Sequence, residues 1–233
     1  MTQQPAAAVH RRPLLNHRDG YATRMVDVAI GDHDYHLRVL SDRQQFSDPE
    51  GSAESAGVAP AHWGLFGQVW PSGRVLAEAV HLRDIRDARV LELGCGLGLS
   101  SLVLARRGAD VTASDHHPMA EAFLRHNARL NRVRMPDFCD LRWERHDLTL
   151  GRFDLIIASD VLYERGHAEL LAGVMDRHAL AHADVLITDP GRGNSGGFSR
   201  RMGVQGYEVD EVRSRFDEND PRPGRGRLLH YQR

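Results

Sequence analysis

Two short segments near the start of the chain, MVDVAI from Met25 and YHLRVL from Tyr35, alternate apolar and polar residues around Gly31-Asp32-His33. Period-two alternation predicts half-buried strands, and a glycine turn between them predicts a β-hairpin. Residues 41–60, SDRQQFSDPEGSAESAGVAP, are polar and turn-rich and read as a linker rather than a flap. Beyond them, strand-length apolar runs alternate with helical stripes. ARVLELG, DVTASD, a segment around LRWERHDL, FDLIIASD and ADVLIT predict strands. Between them, SSLVLARRG predicts a helix stopped by Gly108. MAEAFLRHNARLN predicts a second, with Pro118 in its first turn and Met119, Ala122, Phe123 and Leu130 on its apolar face. HAELLAGVMDRHALAHA predicts a third, and YEVDEVR and RLLHYQR close the chain as two strands joined by a long charged turn.

Strands that alternate with helices argue for a parallel sheet covered on both faces, because parallel neighbours need crossover connections. The closing pair predicts an antiparallel edge. The expected fold is therefore α/β: a doubly wound, mostly parallel sheet of seven strands, preceded by the hairpin. Residues 1–24, broken by proline and charge, are expected to be a flexible lead-in, and residues 25–233 to form one domain: hairpin and linker over 25–60, core over 61–233. A chain of 233 residues, 41% of them hydrophobic, suffices for one substantial core.

A formal charge of −2 gives no general attraction to nucleic acid or anionic membrane. Two cysteines, Cys95 and Cys139, make no disulfide framework, and no apolar run is long enough to span a bilayer or serve as a signal peptide. A cytoplasmic protein is expected. The one adjacent histidine pair, His116-His117, lacks a second ligand cluster, so no metal site is expected.

Ligands of open α/β sheets bind beyond the carboxyl ends of the strands, so the residues that end each strand carry the candidate chemistry. After the first core strand, VLELGCGLGLSS (residues 90–101) places Gly94, Gly96 and Gly98 at alternate positions. Residues without Cβ accept positive φ and let a ligand approach the backbone. The dinucleotide pattern G-x-G-x-x-G would need glycine at position 99, where Leu99 stands, which counts against a nicotinamide cofactor. The pattern present, E-x-G-x-G-x-G from Glu92, fits adenosine carrying an amino-acid tail. Asp115, ending the second strand, is placed to accept hydrogen bonds from both ribose hydroxyls. Asp147, ending the third expected strand, could accept from an adenine amino group or be a helix cap. Ser159 and Asp160 end the fourth, with Tyr163 three residues on, and capping remains open for these as well.

VLELGCGLGLSS, ASD at 113–115 and FDLIIASDVLYE at 153–164 resemble the class I S-adenosylmethionine-dependent methyltransferases, which have a Rossmann-like fold. QVWPSGRVLAEAV at 68–80, the asparagines of RHNARLN and the D-x-x-Y of Asp160 to Tyr163 resemble, more narrowly, the seven-β-strand lysine methyltransferases grouped as methyltransferase family 16. TDPGR at 188–192 is similar to bacterial members and to the electron-transfer-flavoprotein lysine methyltransferases. The resemblance implies S-adenosylmethionine as cofactor, with Gly94, Cys95 and Gly96 around its methionine part, Asp115 at the ribose, and Trp70 and Ser159 against it. Many relatives have a tryptophan near the end of strand three beside adenine; the corresponding place here appears as Leu148, with Trp143 earlier. The implied reaction is N-methylation of a protein lysine, with Asp160 and Tyr163 on the acceptor side. A small amine or heterocycle as acceptor stays open, as does a regulatory protein without catalysis. The loop DPGRGNSGG either flanks the acceptor or leads into a helix.

Overall fold

The computed structural model describes residues 21–43, 47–48, 51–55, 57–145, 148–217 and 224–233. The lead-in over residues 1–20 and the candidate Asp147 lie outside the described residues. The hairpin forms from β1 (Thr23–Ile30) and β2 (His33–Leu40), starting two residues before Met25. Its two-residue turn places Gly31 at φ +57°, where a side chain would run into the His81 ring.

Seven further strands make one sheet: β3 (Arg89–Leu93), β4 (Asp110–Asp115), β5 (Asp137–Asp140), β6 (Phe153–Ser159), β7 (Ala179–Asp189), β8 (Glu208–Ser214) and β9 (Gly226–Gln232). Their spatial order is β5-β4-β3-β6-β7-β9-β8. β3 to β7 run parallel, and β9 lies antiparallel between β7 and β8. This is the expected doubly wound sheet with an antiparallel edge. On β3, Val90 packs with the apolar cluster that holds the hairpin, α2 (Pro71–Leu82), α3 (Leu99–Arg106) and α4 (Ala120–Leu130). Its neighbours Leu91 and Leu93 enter the opposite cluster, with α5 (His167–His178) and α6 (Ser195–Val204). A strand buried on both faces reads as a continuous apolar run, which is why ARVLELG and FDLIIAS were recognisable.

Five expectations need correction. The third core strand is Asp137–Asp140, not the segment around LRWERHDL. A four-residue edge strand with two apolar residues, DFCD, carries too little pattern to detect. The third helix stops at His178, because the following segment is captured by the sheet: Ala179 pairs with Phe153, and Arg152 donates to the Ala179 carbonyl at 2.7 Å. Pro118 lies in a turn ahead of α4, outside its first turn. On α4 the buried face is Ala120, Phe123, Leu124, Asn127 and Ala128, while Leu130 is exposed. The polar connection also holds more structure than a linker, with one helical turn, α1 (Ser52–Ser55), and a 3₁₀ segment over Pro60–Leu65 at its end.

Two asparagines, Asn127 on α4 and Asn131 capping its end, fasten the hairpin. Asn131 accepts from the His36 N–H at 2.9 Å and donates to the His36 carbonyl at 2.7 Å, as a neighbouring strand would. The fully buried Asn127 accepts from the Arg38 N–H at 2.8 Å and donates to the Leu97 carbonyl in the glycine loop at 3.1 Å. Asn127→Ala strands both backbone groups, each worth about 1–3 kcal/mol when left unpaired. Denaturant unfolding of that variant is expected to show a loss of about 2–6 kcal/mol at an unchanged m-value.

Candidate active site

The sheet order reverses between β3 and β6, and a crevice opens there at the carboxyl ends of the strands. Its lining combines the ends of β3, β4 and β6, the loop after β7 and the segment from Val58 to Trp70. Of the candidates, Trp70, Glu92, Gly94, Cys95, Gly96, Asp115, Ser159, Asp160 and Tyr163 line the crevice. Gly98 does not. It caps α3 at φ +82°, and a Cβ there would lie 2.3 Å from Leu124 Cδ1, so its requirement for glycine comes from helix packing.

Gly96 differs from Gly98: at φ +53° its missing Cβ would meet nothing within 4 Å, leaving the backbone bare to the crevice. Asp115 holds this loop in place. One carboxylate oxygen accepts from the Gly96 N–H at 2.8 Å, and the other accepts from the His117 N–H at 2.8 Å. Cys95 is buried, which pushes its thiol well above the usual range and makes it inert packing.

Glu92 shares a face of β3 with Val90, and this points it at the first turn of α3. The Ser101 N–H donates to it at 2.9 Å and the Ser101 hydroxyl donates as well. Burial nonetheless pushes its carboxyl up to about 7. The folded protein thus binds this proton more tightly than the unfolded chain does, so stability falls as pH rises from about 4.5 to about 7 and is level above. Melting temperatures across that window are expected to show this slope in the parent and not in Glu92→Gln.

Trp70 donates its indole N–H to the Leu65 carbonyl at 2.9 Å and sits at the start of α2, whose Pro71 suits a first helical position. Phe66 stacks on His117 with ring centroids 4.0 Å apart. Burial, followed by the charge of His116, lowers the His117 pKa to about 3, so this wall is neutral at physiological pH.

Across the crevice, Tyr163 meets His62 edge-on at 5.5 Å and His167 at 4.4 Å, and Trp143 packs on the same His167 at 5.1 Å. Glu164 pairs with His62 at 2.5 Å. Burial raises the Tyr163 hydroxyl to about 12, with the nearby carboxylates of Asp115, Glu164 and Asp160 adding to the rise. Asp160 adopts φ +52°, fixed by its N–H donating to the Thr188 carbonyl at 2.8 Å. Arg192 grips both oxygens of its carboxylate, Nε at 2.5 Å and Nη2 at 2.6 Å.

His62, Phe66, Trp143 and Arg192 were not among the sequence candidates for the site, yet all line the crevice. Trp143 follows the end of β5 by three residues, and mistaking that strand for a later segment hid its position. The DPGR loop both leads into α6 and contributes Arg192.

A family model described as lysine methyltransferase matches residues 61–196. The chain belongs to this family. The lysine methyltransferase fit extends to individual relatives. The electron transfer flavoprotein beta subunit lysine methyltransferase of Xenopus laevis is 28% identical over 198 residues, covering 82% of this chain and 74% of the relative. The calmodulin-lysine N-methyltransferase of Arabidopsis thaliana is 31% identical over 138 residues, 54% of this chain and 45% of that one. Among solved structures, magnesium protoporphyrin IX methyltransferase from Synechocystis, with bound S-adenosylmethionine, superimposes with a TM-score of 0.53 at 21% identity, covering 68% of this chain and 76% of that one. That last likeness is one of fold. The family's methyl donor is S-adenosylmethionine, and the bare Gly96 backbone beside the Asp115 carboxylate fits an adenosine with an amino-acid tail. Among the described residues no helix is long and apolar enough to cross a membrane, and no group of three or more His, Cys, Asp and Glu could hold a metal ion.

Proposed function

We propose that the protein transfers a methyl group from S-adenosylmethionine to the side-chain amine of a lysine in a protein substrate. The observation that carries this reading is the placement of Asp160 and Tyr163, with the His62 and Trp143 rings, beside the glycine loop in one crevice. Relatives named for acting on electron transfer flavoprotein and on calmodulin support a protein acceptor. The working unit is one domain over residues 25–233, acting in the cytoplasm without nucleic acid or membrane as partner.

In this reading Trp70, Glu92, Gly94, Cys95, Gly96 and Ser159 surround the donor, and Asp115 accepts from its ribose hydroxyls. When bound, the donor supplies an electrophilic methyl on a sulfonium: a C–N bond forms from the amine lone pair as the C–S electrons return to sulfur. The protein's task is to present a neutral, aligned amine. A free lysine is neutral in only about 0.04% of molecules at pH 7. The head group docks at Asp160 as a cation; the apolar faces of Trp143 and Tyr163 disfavour the charged form, so its proton passes to solvent before methyl transfer. Asp160 orients the amine, and Tyr163, whose hydroxyl stays protonated, walls the channel and does not act as base. Holding the reactants in line accounts for much of the acceleration, with no covalent nucleophile.

The test is transfer of labelled methyl from S-adenosylmethionine into a size-fractionated lysate of the source organism, with Asp115→Ala as control. A discrete labelled protein band that vanishes in the control, with methyl-lysine on hydrolysis, is the expected result. Label confined to the small-molecule fraction would overturn the protein acceptor in favour of a small amine.

A further inference from the structure

The acceptor side of the crevice already contains a cation of the chain's own. Among the described residues lining the crevice, Arg192 is the one Arg or Lys side chain, and its guanidinium forms a two-pronged pair with Asp160. The two partners differ in how firmly they are held. The Asp160 backbone is tied to Thr188, whose hydroxyl in turn donates to the Ser72 carbonyl at 2.9 Å, and the Asp160 side chain is only 11% exposed. The Arg192 side chain is 37% exposed and rises from a loop between Gly191 and Gly193, both at positive φ. Arg225 pins the Gly191 carbonyl at 2.6 Å, and Asn194 anchors the far side by donating to the Leu162 carbonyl at 2.8 Å. The loop's ends are fixed, and what can withdraw is the long side chain between them.

We propose that Arg192 is a built-in stand-in for the acceptor: its guanidinium occupies, at Asp160, the place that the incoming lysine head group takes. This rests on the reading above and deepens it by locating the acceptor subsite and its entry condition. A guanidinium suits the role chemically. It stays protonated at any physiological pH, and its delocalised nitrogens are far weaker nucleophiles than a neutral lysine amine, so it rests against the donor's crevice as a poor acceptor. A lysine in that position would be a substrate. All 30 Lys and Arg positions of this chain are arginine, so the protein carries no side-chain lysine amine of its own. An acceptor must therefore bring a head group that competes for a carboxylate, which selects a cationic side chain over a neutral amine or heterocycle.

A competing occupant reduces apparent affinity to the fraction of time it leaves the site free, so an Arg192 that occupies Asp160 nine-tenths of the time costs about tenfold in affinity. The probe is n-butylammonium chloride, titrated calorimetrically into the full chain with S-adenosylhomocysteine bound. Arg192→Gln is expected to bind it about tenfold more tightly than the parent, with S-adenosylhomocysteine affinity unchanged, and the gain should vanish when Asp160→Asn is added. Arg192→Lys, incubated with S-adenosylmethionine, is expected to gain one or more methyl masses on a chain whose parent gains none on a lysine side chain. Unchanged butylammonium affinity in Arg192→Gln would overturn the proposal. So would a tenfold loss of S-adenosylhomocysteine affinity, which would assign Arg192 to the cofactor's carboxylate instead. Failure of the lysine reading itself shows separately, in the labelled-methyl assay on the parent protein.

Discussion

Asp115→Ala is expected to weaken S-adenosylhomocysteine binding by about 100-fold or more and to abolish methyl transfer at ordinary donor concentrations, while the protein remains folded. Two effects add. The carboxylate is the proposed acceptor for the ribose hydroxyls, and hydrogen bonds to a charged group contribute about 1.5–3 kcal/mol each. The same two oxygens already receive the Gly96 and His117 N–H groups, so their loss frees the glycine loop that must be shaped before the donor arrives. Calorimetric titration measures the first effect directly. An affinity within threefold of the parent would remove Asp115 from the cofactor site.

Asp160→Asn is expected to lower turnover by about 100-fold or more, with S-adenosylhomocysteine affinity within threefold of the parent. Asparagine is the informative replacement here. It tolerates the left-handed conformation that residue 160 adopts, so the N–H bond to Thr188 is kept and melting temperature changes little. What is lost is the charge and the paired oxygens that orient the amine, and a misplaced reactant costs rate rather than donor binding. Single-turnover measurements alongside donor titrations separate the two. Equal losses in both would place Asp160 on the donor side.

Much of this architecture was legible because central strands announce themselves. β3 and β6 bury both faces, so their apolar runs survive inspection without knowledge of neighbours, and the acidic residues at the ends of β4 and β6 follow from them. The edge strand β5 was not legible, since four residues with two apolar side chains look like any loop, and the error displaced Trp143. Helix propensity misled at ALAHA, where pairing with Phe153 and the Arg152 hydrogen bond outweigh alanine's preference. The glycine motif identified the loop but not the division of labour within it: Gly96 faces the crevice, whereas Gly98 answers to Leu124 on another helix. Arg192 and Asp160 are 32 residues apart, and no local pattern marks a pair made by two loops meeting over a sheet.

Asn127 bears on how this protein can change over generations. Its amide spans the hairpin and the Leu97 carbonyl, so a shift of one is transmitted to the other through a single rigid side chain. Drift in the hairpin is therefore not neutral for donor affinity, even at positions far from the crevice. Lineages that remodel the hairpin to meet a new protein are expected to acquire compensating changes in or around the glycine loop, and swapping hairpins between relatives should transfer donor affinity along with them.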